Sequence, residues 1–163
     1  MHHKIYDNNT ITRFYGISQD PETKNYIMVL DYAENGSLRN YLDTNYDKLS
    51  WHAKFRDLLS IANGLGKIHE KELIHRDLHI GNILSSDIGT HITDMGLCRP
   101  ADYNKLENTK KNKIYGVLPY IAPEILRGQN YTKAADIYGF GIIMYEVISG
   151  LPPYHDVTFG FNL

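Results

Sequence analysis

The sequence has little of several things that would each have marked a class. Among 163 residues there is a single cysteine, Cys98. No intramolecular disulfide framework can exist, and a reducing compartment fits. Basic charge is not in excess: 17 Lys and Arg face 19 Asp and Glu, leaving a net charge of −2. A general nucleic-acid binder normally carries a basic footprint, so that class is demoted. No apolar stretch is long enough for a bilayer. The longest runs from Ile137 to Tyr145, nine residues with its glycines, where a spanning helix needs about 20. Residues 1–9 hold no apolar signal segment, and no repeat or low-complexity tract interrupts the chain. These absences leave a soluble, cytoplasmic protein with no nucleic-acid or membrane partner as the expectation. What is abundant is apolar content, 42%, enough for one domain with a core of its own.

Local pattern divides the chain. Residues 10–17 and 26–30 are rich in β-branched and aromatic types and read as a strand pair. The polar, proline-containing stretch 18–25 reads as the turn between them. A break at 34–37 precedes a short helix at about 37–42. The clearest helix is predicted over 51–70. Trp51, Phe55, Leu58, Leu59, Ala62, Leu65 and Ile68 recur at the spacing of one helical face, and Ser50 stands as N-cap. Gly64 and Gly66 weaken that helix and suit a close backbone approach. Residues 83–85 and 90–93 read as short strands. Residues 100–113 are polar and too long for an ordinary connection, which predicts a functional loop. A last helix is predicted over 133–149, capped by Thr132 and stopped by Gly150 and two prolines. It is apolar on nearly all sides, as a helix buried all round would be.

Polar residues concentrate in three loops. His75-Arg-Asp-Leu-His-Ile-Gly-Asn82 packs a His, an Arg, an Asp and an Asn between apolar flanks, and buried polar groups need partners. Asp94-Met-Gly96 follows a strand and can present a carboxylate to a cation. Glu124 sits among apolar residues and requires a cationic partner. His75, Asp77 and His79 also form an H-x-D-x-H run, which a strand would align as metal ligands; that reading leaves Arg76, Leu78 and Asn82 unexplained. His2, His3, His52, His91 and His155 show no visible partners, and Cys98 reads as a small apolar filler.

Taken in order, these loops resemble a protein kinase. His75-Arg76-Asp77-Leu78 with Asn82 resembles the catalytic loop, Asp94-Met95-Gly96 the metal-binding D-F-G triplet, and Ala122-Pro123-Glu124 the A-P-E triplet. Asp136 to Gly141 is similar to the start of the large buried helix of the C-terminal lobe. The resemblance covers nearly the whole chain and implies an α+β, protein-kinase-like fold. Residues 1–33 would be an N-lobe remnant of two strands and the hinge, and 34–163 a partial, mostly helical C-lobe. It implies ATP and Mg²⁺ as cofactors and a protein Ser/Thr or Tyr hydroxyl as acceptor. Asp77 would take the hydroxyl proton, with His75, Arg76 and Asn82 completing the catalytic set. Asn82 and Asp94 would hold magnesium through hard oxygens. Leu30 would be the gatekeeper, Asp31, Tyr32 and Ala33 the hinge, and Leu84 the floor under adenine. Phe14, His75 and Met95 would stack as a spine.

The sequence also departs from that family. It contains no G-x-G-x-x-G loop and no V-A-I-K-like strand, both parts of the kinase ATP grip. His79 stands two residues after the catalytic Asp, where serine/threonine kinases carry Lys. Val117 stands where they carry Thr. Glu34-Asn-Gly-Ser-Leu38 and the Trp51 helix look like the tyrosine-kinase and tyrosine-kinase-like branches. The expectation is a kinase-domain piece, truncated at both ends and inactive alone. The alternatives are a pseudokinase-type binding module or a non-functional product. Tyr103, Thr109 and Tyr115 are candidate phosphorylation sites, with Arg76 a clamp for their phosphate. The uncharged strand edge at 26–30 is a candidate surface for self-association.

Overall fold

A computed structural model of the chain describes residues 10–103 and 114–156. Thr109 and the other residues of 104–113, most of the polar stretch expected as a functional loop, lie outside the described residues. Two strands open the fold, β1 (Phe14–Gln19) and β2 (Tyr26–Leu30), paired antiparallel with Ile17 opposite Met28. Next come helices α1 (Leu38–Asn45) and α2 (Trp51–Glu70). Four short strands follow: β3 (Leu73–Ile74), β4 (Ile83–Ser86), β5 (Gly89–Ile92) and β6 (Arg99–Pro100), with β3 paired to β6 and β4 to β5. The one-turn helix α3 (Pro123–Leu126) and the long α4 (Lys133–Ser149) complete it. The arrangement is α+β, a mostly helical body that carries the β1–β2 hairpin at its N-terminal side and a short β4–β5 hairpin.

Caps set the helix limits. The hydroxyls of Ser37, Ser50 and Thr132 accept from the N–H three residues on, and each helix begins at the next residue. α4 ends at Gly150, whose backbone turns left-handed. The strand expected at 10–17 is in fact divided. Thr12 N–H donates to the Ile92 carbonyl at 2.9 Å, and Ile92 N–H to that of Thr10 at 2.9 Å. Residues 10–12 therefore dock on β5, and the hairpin proper starts at Phe14.

Packing corrects two expectations. The buried stripe of α2 is Lys54, Asp57, Leu58, Ile61, Gly64, Leu65 and Ile68. Trp51, Phe55 and Leu59, expected in the core, are each about 60% exposed. Two charged residues displace them inward because each finds a local partner. The Lys54 ammonium lies 3.5 Å from the center of the Tyr46 ring, and Asp57 meets Arg56 at 3.3 Å. Trp51 and Phe55 rest on each other outside, ring centers 6.0 Å apart. Nor is α4 buried all round. Ala135, Asp136, Gly139, Ile143, Glu146 and Val147 are buried, and Ile142 is half-buried. Ile137, Met144, Tyr145 and Ile148 face outward, because α4 packs along one side only, on α2, β3 and the Leu118–Tyr120 turn. The core joins α1, α2, β4, β5 and α4 through Leu38, Leu42, Ile61, Ile68, Ile83, Ile92 and Ile143, all buried. Fully burying such a side chain is worth about 1.5–3 kcal/mol, an upper estimate.

The two α2 glycines differ in role. A Cβ at Gly64 would lie 2.7 Å from the Thr10 carbonyl oxygen, whereas one at Gly66 would meet nothing within 4 Å. Gly64 is what lets residues 10–12 lie across α2. We expect Gly66→Ala to stabilise the protein by about 1 kcal/mol. Gly64→Ala should destabilise it by about 1–3 kcal/mol and free the amide of Thr12, the range for overpacking. Urea unfolding with amide exchange measures both; equal effects of the two substitutions would refute the assignment.

Candidate active site

The loop after β3 is hung from the first turn of α4. Asp136 is buried, and its carboxylate accepts from the N–H of His75 at 2.8 Å and of Arg76 at 2.9 Å, while His69 Nε2 lies 2.9 Å away. These bonds hold Arg76 at φ +74°, left-handed backbone that a non-glycine residue rarely adopts. Glycine at 139 allows the approach, since a Cβ there would sit 2.7 Å from the Leu78 carbonyl.

From this anchor the loop is stapled to the two acidic residues. His75 is fully buried. Its Nδ1 accepts from the Asp77 N–H at 3.3 Å, which leaves the proton on Nε2 to donate to the Thr93 carbonyl at 3.0 Å. One ring thus ties Asp77 to the residue before Asp94. Asn82 donates through Nδ2 to the Asp77 carbonyl at 2.9 Å and lies 3.4 Å from Oδ2 of the same residue. Its backbone carbonyl accepts from Thr93 N–H at 2.9 Å. Asp77, Asn82 and Asp94 are therefore brought into one neighborhood. Asp77 Oδ1 is buried and has no hydrogen-bond partner. It borders a small cavity of about 20 Å³ that Gly116, Val117 and Tyr120 also line. Asp94, at φ +55°, is exposed, and one of its oxygens accepts from Gly96 N–H at 3.2 Å.

His79 lies beside Asp77. Its Nδ1 accepts from Gly81 N–H at 3.1 Å, and its Nε2 lies 3.7 Å from Asp77 Oδ1. Burial holds its pKa below the ordinary imidazole range, against the pull of Asp77. The H-x-D-x-H run is not a strand, and among the described residues no group of three or more His, Cys, Asp or Glu could hold a metal ion.

The adenine-side residues divide between two cavities. Asp31, Tyr32, Ala33 and Leu84 line a cleft of about 230 Å³ together with Thr12 and His91. Leu30 instead borders a larger one, about 670 Å³, with Asp94, Met95 and Cys98. Of the expected spine, His75 and Met95 are buried and Phe14 is half-buried. Cys98 is buried and its thiol pKa is pushed up to about 12, first by desolvation and then by the carboxylates of Asp136 and Asp94, as suits a packing residue.

The Arg76 guanidinium lies over the rings of Tyr131, Tyr103 and Tyr115 at 4.8, 5.1 and 5.6 Å. Glu124 is half-buried and has no ion pair among the described residues. The acid that does need a cation is Glu146, fully buried on α4. Arg39 Nη1 donates to it at 2.9 Å and the Tyr120 hydroxyl donates to its other oxygen. Two histidines read as partnerless are not: His91 Nε2 lies 2.8 Å from Ser86 Oγ, and His155 Nδ1 lies 3.2 Å from the Tyr145 hydroxyl. The charge that follows the apolar run of α4, with Val147 and Ile148 directly after it, was the signal for Glu146.

Comparison with known proteins agrees with this geometry. The family model described as protein tyrosine and serine/threonine kinase matches residues 1–159. The chain belongs to that family, a class of phosphotransferases. Among curated proteins it is 34% identical over 146 residues to the L-type lectin-domain containing receptor kinase V.5 of Arabidopsis thaliana, covering 86% of this chain and 22% of that protein. It is 33% identical over 157 residues to the serine/threonine-protein kinase atg1 of Dictyostelium discoideum, covering 93% and 23%. It is 36% identical over 135 residues to the serine/threonine-protein kinase AtPK2/AtPK19 of Arabidopsis thaliana, covering 78% and 26%. The chain spans about a fifth of the length of the first relatives it matches.

Glu146 makes this network pH-sensitive. Burial raises its pKa above the ordinary value, with Tyr120 and Arg39 opposing. The folded protein therefore holds that proton more tightly than the unfolded chain. The stability this contributes is complete below about pH 4.3 and is lost as the pH rises through the folded value. Relative to Glu146→Gln, which does not titrate, the wild type should lose stability across that window. Urea midpoints between pH 4 and pH 7 read it; a difference that grows in favor of the wild type would mean that Arg39 outweighs burial.

Proposed function

We propose that this chain is the base-bearing and acceptor-facing part of a protein kinase domain that moves the γ-phosphoryl of ATP to a Ser, Thr or Tyr hydroxyl of a protein. The observation that carries the reading is the divided state of Asp77: Oδ2 faces Asn82, and Oδ1 is buried without a hydrogen bond, 3.7 Å from His79 Nε2, in a residue that lines a cavity. A carboxylate oxygen so placed can accept the proton of an incoming hydroxyl, help that is worth about 10²–10⁴ in rate. His75 supports it by fixing the Asp77 backbone. Arg76 supports it by the backbone turn that Asp136 imposes.

The donor set suits a hard divalent cation. Asn82 spends its amide N–H on Asp77, which leaves its side-chain oxygen as a ligand, and the Asp94 carboxylate is exposed. Magnesium takes one or two protein oxygens and completes its shell with water and substrate phosphates. When bound it would supply charge to offset the phosphate oxygens. Asp31, Tyr32 and Ala33 line the cleft with Leu84 and are the hinge for adenine; Leu30 lines the cavity at Asp94. We place the reaction in the cytoplasm, in keeping with the single reduced cysteine; no helix of the described residues is long and apolar enough to cross a membrane.

The Asp77→Asn variant of the full-length protein should lose about 10²–10⁴ in phosphotransfer rate and keep its Mg-ATP affinity. Asp94→Asn should lose the magnesium dependence of nucleotide binding. Phosphotransfer that survives Asp77→Asn would overturn the reading, and nucleotide binding with no phosphotransfer in the wild type would favor a binding module. Residues 1–163 alone, with no Gly-rich loop or strand lysine in their sequence, should bind nucleotide weakly and turn nothing over.

We also propose that the hairpin mediates association with a second strand. β2 pairs only with β1 among the described residues, and Tyr26, Ile27, Met28 and Val29 are all exposed. A bare apolar edge of this kind recruits other strands. Light scattering on a sizing column should show self-association that Met28→Lys reduces; a wild-type monomer at tens of micromolar, unchanged by the substitution, would exclude it.

A further inference from the structure

Tyr131 lies between α3 and α4 and has no role in the reading above. It is buried, in a second core cluster with Ile74, Tyr103, Ile121, Ile125 and Ala135. Its hydroxyl accepts from the Tyr115 N–H at 2.9 Å and donates to the carbonyl of the same residue. A side chain that satisfies both backbone groups of one residue fixes that residue in place, where a single bond would leave a pivot. The following two residues, Gly116 and Val117, border the cavity at Asp77, and a Cβ at Gly116 would come within 3.4 Å of Asp77 Oδ1.

The same ring holds the other side of the site. The Arg76 guanidinium sits 4.8 Å from it and is flanked by the rings of Tyr103 and Tyr115. Arg76 Nε is buried without a hydrogen-bond partner, and no carboxylate among the described residues pairs with the group. Three aromatic faces surround the cation, each attracting it through its quadrupole. Burial raises the Tyr131 phenol pKa, so the hydroxyl keeps the proton that the Tyr115 carbonyl accepts.

We propose that Tyr131 is a positioning residue that holds residues 115–117 against Asp77 and, with Tyr103 and Tyr115, cages Arg76. The proposal rests on the reading of Asp77 as the base, but its test does not. The two functions of the side chain separate by substitution. Tyr131→Phe removes the hydroxyl and keeps the ring; Tyr131→Leu removes both. Amide exchange by mass spectrometry, on the 163-residue chain, reads the clamp. Modification of Arg76 by phenylglyoxal reads the cage.

With Tyr131→Phe, exchange at the Tyr115 amide should rise by about tenfold, the scale of a lost buried hydrogen bond. Exchange in α2 and the rate of Arg76 modification should stay as in the wild type. With Tyr131→Leu, both the Tyr115 amide and Arg76 should become faster. A residue that only fills the core would be silent as Phe at every position, so wild-type exchange at Tyr115 in Tyr131→Phe overturns the proposal. A folded Tyr131→Leu with Arg76 as slow as the wild type overturns the cage. If Tyr131→Leu does not fold, the Phe variant decides the clamp, and Tyr103→Leu replaces it in the Arg76 measurement. A Mg-ATP titration on the same samples reports on the kinase reading separately: failure to bind nucleotide counts against that reading and leaves the exchange result standing.

Discussion

One carboxylate organises the site. Asp136 lies in the first turn of α4, where the N-terminal end of the helix dipole favors negative charge. Its two oxygens hold the backbone of His75 and Arg76, and His69 closes the third side. Everything that follows is positioned from there. His75, fixed by its N–H, uses one ring nitrogen on Asp77 and the other on Thr93. Asp77 and the segment that ends in Asp94 thus share a single support. The left-handed turn at Arg76 costs about 1–3 kcal/mol, and the charge-assisted bonds to Asp136 are of a size to offset it. The strain aims Asp77 Oδ1 at a cavity in place of a hydrogen-bond donor.

A second buried acid does structural work of another kind. Glu146 joins α4 to α1 through Arg39, which also reaches Asp43 at 2.6 Å and the Gly150 carbonyl at 3.1 Å. Burying an ion pair costs desolvation that its attraction repays only with good geometry and further hydrogen bonds. Here Tyr120 supplies the further bond. The same tyrosine lines the cavity at Asp77 and stacks near His79, ring centers 5.7 Å apart. Arg39 therefore reaches the reactive region through two contacts, Glu146 and then Tyr120.

What the sequence made legible was local. The limits of α2 and α4 follow from Ser50, Thr132 and Gly150, whose capping bonds close within three or four residues. His75 to Asn82 could be read because its functional residues are consecutive. What could not be read depends on partners far along the chain. Lys54 and Asp57 turned inward and Trp51 and Phe55 outward because Tyr46 and Arg56 satisfied the charges, and periodicity counts apolar residues only. Residues 10–12 resembled a strand continuing into the hairpin, but their hydrogen bonds go to Ile92. Arg76 looked ready for an anion, and its aromatic cage draws on Tyr103, Tyr115 and Tyr131, which no spacing rule connects. Glu146 and Arg39 are separated by 107 residues; only the charge that follows the apolar run of α4 hinted that a partner existed.

The separation between His75 and its anchor has a consequence for synthesis. Asp136 lies 61 residues after His75. At the usual elongation rate of about 5–20 residues per second, the loop waits roughly 3–12 s before its acceptor is made. During that interval α2 can already form, because its caps and its turn-by-turn hydrogen bonds are complete. The loop bearing Asp77 cannot, because two of its N–H groups have nowhere to point but water. The helical scaffold is thus laid down first and its chemistry last. A nascent chain stalled before residue 136 carries every residue of the His75–Asn82 motif and lacks the carboxylate from which that loop is hung.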